Sequence, residues 1–220
     1  MKKWFFVILP AVLLLAGCGV KIDKTTESQS CGLTPSSGAS CAVSGAAVSG
    51  EEKLPLSDLE TTIETTLIAL KTQNMELLAQ VASEKGIRFS PYSYIDTGKN
   101  IILKKEEFNA AYTGKTQYVR GIQDGKGDSI ILTFKDYLSK FVYDVDFVNL
   151  GEKHLNENLT RGNSINNIPD VYSGKQTIEY YVPGLDPKYE GMDRRGLTLV
   201  FDQENGDRKL IGVIHNQWTI

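Results

Sequence analysis

Cysteine and histidine are scarce in this 220-residue chain, and their scarcity excludes several kinds of site. The three cysteines are Cys18, Cys31 and Cys41, so no disulfide can form among the residues beyond Cys41. His154 and His215 are the only histidines, which excludes a metal site built from three histidines. Serine nucleophile elbows, phosphate-cradling glycine loops and zinc-protease helices are absent. The sequence therefore names no reaction and implies no cofactor.

Positive charge is not in excess either. The chain has 24 Lys and Arg against 27 Asp and Glu, which gives a formal net charge of -3 at pH 7. No basic stripe runs along it, so we expect neither nucleic acid nor anionic lipid headgroups as electrostatic partners.

The amino terminus has the organisation of an export signal. Lys2 and Lys3 precede an apolar run from Trp4 to Ala16. A helix of that length spans roughly 20 Å, whereas the hydrocarbon core of a bilayer is roughly 30 Å thick. The run therefore favours a secretory signal over a stable membrane-spanning helix.

The apolar run ends in Leu15-Ala16-Gly17-Cys18, which resembles the lipobox of bacterial lipoprotein precursors. This resemblance implies that residues 1–17 are a signal peptide, that cleavage occurs before Cys18, and that Cys18 carries the lipid. Two or three acyl chains anchor a protein stably, whereas one chain is marginal. We therefore expect an extracytoplasmic protein that is lipid-anchored to a bacterial membrane. An ordinary secretory signal that ends in cysteine is the alternative.

A flexible tether is predicted to follow the lipidated cysteine. Residues 19–53 are rich in Ser, Gly, Thr and Ala and show no apolar periodicity. Cys31 and Cys41 lie in this segment, and a disulfide between them, two free thiols or a two-cysteine metal site remain open. Residues 54–220 are long enough for one domain with a sizeable core, and no second linker interrupts them.

The apolar pattern of residues 54–220 predicts an α+β domain. Ser57-Asp58-Leu59-Glu60 has the spacing of a capping box at a helix start, and Asn74 begins a second, shorter helix. Strands are predicted at 87–95, 100–103, 118–123, 129–132, 177–182, 197–202 and 209–218, and short helices at 105–112 and after Thr133. This order predicts an N-terminal helix pair packed on a curved, mainly antiparallel sheet.

The order of these elements resembles the nuclear transport factor two-like fold, in which a curved sheet wraps around helices to form a cone. Four runs also resemble an uncharacterised family of exported bacterial proteins, some of them lipoproteins. They are GIRFSPY at 86–92, FVYDVDF at 141–147, YEGMD at 189–193 and GVIHNQWTI at 212–220. The resemblance implies a location and a fold, but no catalytic residue.

Two aspartates and one histidine are the weak catalytic candidates. Asp144 and Asp146 alternate in Tyr-Asp-Val-Asp-Phe, and alternate residues of a strand share a face. Such a pair can bind a cation or divide acid and base roles, although a solvated strand face is the plainer interpretation. His215 falls in the last predicted strand, one face of which would line the cavity of a cone, and a structural histidine is the plainer interpretation there.

Other polar segments indicate turns and loops. Asp124 and Asp128 enclose a glycine-containing run that lacks the further acidic ligands of a calcium loop, so a hairpin turn is predicted. The polar stretches 149–174 and 181–195 are predicted loops and the preferred place for a binding rim. Lys209 to Ile220 is apolar enough for an internal strand, and Trp218→Ala would cost about 3–5 kcal/mol if the indole were fully buried.

The leading hypothesis is a surface-tethered binding or interaction module for a small ligand or an envelope protein. The first alternative is a small acid/base enzyme that uses Asp144 or Asp146 with His215 in a cone-shaped pocket. The second is an accessory protein of the cell envelope, which would be a structural role.

Overall fold

The computed structural model describes residues 57–157, 159 and 165–219. These belong to a compact unit that spans Gly50–Ile220. Cys18, Cys31 and Cys41 lie outside the described residues, so the lipid anchor, the tether and the disulfide stay predictions. In the described part of the chain no helix is long and apolar enough to cross a membrane.

Two capped helices open the domain, as predicted. Helix α1 spans Leu59–Thr72 and helix α2 spans Met75–Val81. The N-cap of α1 is Asp58 and not Ser57, because the Asp58 carboxylate accepts the Thr61 backbone N–H at 2.8 Å. Asn74 caps α2 by accepting the Leu77 N–H at 3.0 Å.

The remaining elements are short helices and strands. In chain order they are β1 (Ile87–Ser90), β2 (Ile102–Leu103), α3 (Phe108–Thr113), β3 (Tyr118–Ile122), β4 (Ser129–Leu132), α4 (Phe134–Phe141), α5 (Phe147–Leu150), β5 (Glu152–Leu155), α6 (Ile168–Val171), β6 (Gln176–Val182), β7 (Arg195–Glu204) and β8 (Asp207–Gln217). Single 3-10 turns lie at Lys105–Glu107 and Pro187–Tyr189.

Among the described residues, six strands form one sheet in the order β2-β1-β8-β7-β6-β5. All neighbours are antiparallel except β1 and β8, which run parallel with Phe89 opposite Val213. Strands β3 and β4 form a separate antiparallel hairpin. The prediction of an α+β domain with helices and a mainly antiparallel sheet is confirmed.

The sheet buries side chains on both faces. Leu199 and Val213 point to the main core, which the helices share, whereas the next residues, Val200 and Ile214, join a smaller cluster. This alternation follows from the two-residue period of a strand. The middle of β7 and of β8 is therefore mostly apolar, because both faces are buried there.

Three of the predicted segments differ from the structure. The strand predicted at 87–95 ends at Ser90, because Pro91 has no N–H to continue the ladder. Residues 141–147 form no strand. At the end of α4 the Tyr143 N–H donates to Leu138 O at 2.8 Å, and α5 begins at Phe147. The stretch 149–174, predicted as a loop, contains β5 and α6.

Candidate functional site

Asp144 and Asp146 do not form the side-by-side pair that a strand would create. Residues 142–146 connect α4 to α5, and the two carboxylates bind different partners. Asp146 accepts Lys71 Nζ at 2.9 Å, the Tyr143 hydroxyl at 3.1 Å and Asn149 Nδ2 at 2.6 Å. The hydrogen bond from Lys71 is the main reason that the pKa of Asp146 is lowered. Asp146 therefore joins α1 to the start of α5.

Asp144 instead bridges the last two strands of the sheet. Its Oδ1 lies 3.1 Å from His215 Nε2, and its Oδ2 accepts Arg195 Nε at 2.6 Å. Arg195 Nη1 also donates to the carbonyl oxygens of Asp193 and Arg194, at 3.0 Å each. His215 and Arg195 thus hold the Asp144 carboxylate through one oxygen each.

Burial and hydrogen bonding act on the pKa of Asp144 in opposite directions. Burial is the largest single influence and by itself would raise this pKa. The hydrogen bonds and charges of His215 and Arg195 together outweigh it and hold the pKa below its ordinary value. Asp144 is therefore an ionised, well-partnered carboxylate at neutral pH.

His215 is sealed inside the main core. Its side chain has no solvent exposure, and its ring packs edge-on against Phe141 at 6.2 Å between centroids. Nε2 faces Asp144, while Nδ1 is buried and has no hydrogen-bond partner among the residues that the structure describes. A general base must reach the proton that it removes. No atom of this ring meets solvent, so the ring cannot touch a dissolved substrate in this conformation.

Two cavities border strand β3 and the loop that follows it, and His215 lines neither of them. The first, the hairpin cavity, has a volume of about 530 Å³ and extends from Tyr92–Asn100 to the loop Gly121–Gly127. The second, the α3 cavity, has a volume of about 560 Å³ and lies between β2, α3 and β3. Both volumes are in the range of small-molecule sites, about 300–1,000 Å³.

Gly121 lets the β3–β4 hairpin pack closely against Pro91. Its φ of +152° accompanies a register shift in β3, and a Cβ at this position would lie 2.8 Å from Pro91 Cγ. Glycine adopts this backbone conformation readily and leaves room for the proline ring.

The remaining predicted residues lie apart from one another. Asp124 Oδ1 accepts the Gly125 N–H at 3.0 Å and Oδ2 accepts the Thr219 hydroxyl at 2.8 Å, which joins the hairpin loop to the C-terminus. His154 is on β5, with Nδ1 3.2 Å from Glu157 Oε2. Throughout the described ranges, no group of three or more His, Cys, Asp or Glu side chains is placed to hold a metal ion.

Sequence reasoning missed two arginines that the structure makes prominent. Arg195 is the partner of Asp144, and Arg120 is buried at the α3 cavity. One signal was available for Arg120, since it is a charged residue in the middle of the short predicted strand Tyr118 to Gln123. No local pattern marks Arg195, because its partner lies 51 residues away.

Comparisons with known proteins leave the family open. No family model matches the chain, and no curated protein matches it. One solved structure, whose title begins with Rd1NTF2, matches with 12% sequence identity and a TM-score of 0.28. The match covers 71% of this chain and 95% of that chain. A TM-score this low does not establish a shared fold.

Proposed function

We propose that this protein is a lipid-anchored, extracytoplasmic binding module with a nuclear transport factor two-like domain. Its ligand site is the hairpin cavity. A helix pair, a strand pair, a short helix and closing antiparallel strands occur in that order, which is the order on which the resemblance rests. The lipobox at Cys18 supports the anchor, and the two cavities beside the hairpin support a binding role.

Binding accounts for the geometry better than acid/base catalysis does. The candidate base, His215, is fully buried and is held by Asp144, whose other oxygen pairs with Arg195. Both groups have a structural explanation, because buried polar side chains need partners. The hairpin cavity, by contrast, is open to solvent and has an exposed aromatic ring in its wall.

The observation that carries this proposal is the polar wall of the hairpin cavity, to which Asn100 contributes an amide side chain. Asp96 and Asp124 add carboxylate oxygens, which only accept, and Lys99 provides one balancing charge. The Tyr94 side chain is 55% exposed beside them. An acceptor-rich wall with an aromatic ring suits a neutral ligand that carries several hydroxyl or amide donors, and a saccharide has this chemistry.

We expect the full chain to bind saccharides, and Tyr94→Ala to weaken that binding by about tenfold through loss of the aromatic contact. Saturation-transfer NMR with glucose, N-acetylglucosamine and their soluble oligomers measures it. Tyr189→Ala is the matched control, since Tyr189 is 45% exposed and lies outside the cavity. Absence of transfer to every saccharide, or equal transfer to Tyr94→Ala, would contradict the proposed ligand class.

Cys18→Ala should abolish lipidation and leave the precursor uncleaved, because the thiol is the attachment point that the lipobox resemblance implies. Metabolic labelling with a fatty-acid probe in a bacterial host measures the lipid, and Cys31→Ala is the control. A Cys18→Ala chain that is labelled as strongly as the parent would refute the anchor.

A further inference from the structure

Arg120 is a buried cation that lacks an anionic partner. The residue is 2% exposed, and its Nε donates to Leu132 O at 3.3 Å. Across the residues that the structure describes, its guanidinium forms no ion pair with a carboxylate within 4.0 Å. Arg195 shows the ordinary arrangement, because its less deeply buried guanidinium pairs with Asp144.

Burying a charge without a counter-ion is costly, and the surroundings of Arg120 offset that cost only in part. Its Cζ lies 5.2 Å from the centroid of the Tyr118 ring and 5.5 Å from that of Phe134, so both rings give cation–π attraction. Burial still lowers the pKa of Arg120. Arginine nevertheless remains protonated in proteins. A permanent positive charge therefore lies at a dry position where an anion would be stabilised.

The α3 cavity lies next to this charge. Arg120 contributes to its lining, and Ile101, Leu103, Ala110 and Ala111 provide apolar wall. Glu106 and Glu107 also line the cavity, and both are exposed. The cavity thus combines one buried positive charge, an apolar wall and two negative charges on its solvent side.

We propose that the α3 cavity binds a small apolar monocarboxylate whose carboxylate pairs with Arg120. The planar guanidinium matches a carboxylate, and the aliphatic wall receives the apolar part of the ligand. The two exposed glutamates repel every anion, and they repel one of higher charge, such as inorganic phosphate, more strongly than a monocarboxylate. This site is separate from the hairpin cavity and does not depend on the function proposed for it.

Calorimetric titration of the full chain with sodium octanoate tests the proposal. We expect octanoate to bind at least about tenfold more tightly than 1-octanol, because only the carboxylate forms a charge-assisted pair. Inorganic phosphate should give no measurable heat of binding. Equal affinity for octanol would overturn the proposal in favour of a purely apolar cavity, and absence of octanoate binding would overturn it outright.

Arg120→Met separates a ligand-binding arginine from a structural one. The change keeps an apolar stem and removes the charge, so octanoate affinity should fall about tenfold or more. The ligand-free melting temperature should stay equal or rise, because an uncompensated buried charge is lost. Arg208→Met, at a half-buried position near the start of β8 and outside the cavity, should leave both quantities unchanged.

A second variant covers the case in which Arg120→Met fails to fold. Ala110 lines the cavity and is exposed, so Ala110→Trp should fill the cavity without disturbing the core. We expect this variant to melt like the parent and to lose octanoate binding. Octanoate affinity that survives either Ala110→Trp or a folded Arg120→Met would overturn the proposal.

Discussion

Deleting residues 212–220 should abolish cooperative unfolding of the domain. Strand β8 lies inside the sheet, between β1 and β7, so the deletion removes the pairing that joins the β1–β2 edge to the remainder. Val213 and Ile214 are fully buried on opposite faces. Burying one large apolar side chain stabilises by roughly 1.5–3 kcal/mol, and typical domains are stable by only about 5–15 kcal/mol.

Circular dichroism during thermal unfolding measures this effect, and Trp218→Ala is the informative comparison. Trp218 lies beyond the end of β8 and is half-buried, not fully buried, so its loss should cost about 1 kcal/mol, less than a fully buried side chain. A deletion variant that melts cooperatively near the parent temperature would show that β8 is dispensable. A Trp218→Ala variant that is equally damaging would show that the indole matters more than its exposure indicates.

Asp144→Ala should lower the free energy of unfolding at pH 7 by about 3–5 kcal/mol, because it leaves one side of a buried ion pair uncompensated. The Arg195 guanidinium loses its carboxylate, and the fully buried His215 loses the acceptor of its Nε2–H. The Asp144 side chain is only 14% exposed, so solvent cannot replace these contacts readily.

The pH dependence of this effect has a definite sign. The pKa of Asp144 is lowered in the folded state, so its stabilisation is present above the unfolded-state pKa, about 3.9, and is lost as the pH falls through the folded-state pKa. The difference between parent and Asp144→Ala should therefore shrink from pH 7 to pH 2. Urea unfolding at the two pH values measures it.

Asp146→Ala is the matched control for this pH experiment. Its carboxylate also accepts a lysine and two further donors, but its side chain is 38% exposed and its ion pair is solvated. We expect a much smaller loss of stability than for Asp144→Ala. If Asp144→Ala unfolds like the parent at both pH values, the Asp144 contacts do not stabilise the domain.

The local elements were largely predictable because near neighbours determine them. The N-caps Asn74 and Thr133 and the turn between β3 and β4 follow from side chains that bond to backbone groups within a few residues. The errors were also local in origin. Ser57 and Asp58 can both cap a helix, and the run 141–147 has strand-like alternation that the end of α4 overrides.

The candidate sites were less predictable because they depend on contacts far apart in the chain. Asp144 was selected from the sequence, yet for a pairing with Asp146 that does not exist. Its actual partner His215 lies 71 residues away and reaches it because β8 folds back into the sheet under α4. Arg120 became notable only once its burial and its missing counter-ion were visible.

The capped helix pair and most strand positions were determined by the sequence alone, because each depends on residues that are adjacent along the chain. The predicted anchor at Cys18 depends on adjacent residues in the same way. Only the tertiary structure decided the parallel pairing of β1 with β8, the burial of His215 and the cavities around the hairpin. The physical reason is that hydrogen bonds within a turn follow local spacing. Sheet order and desolvation instead follow from which distant segments pack together.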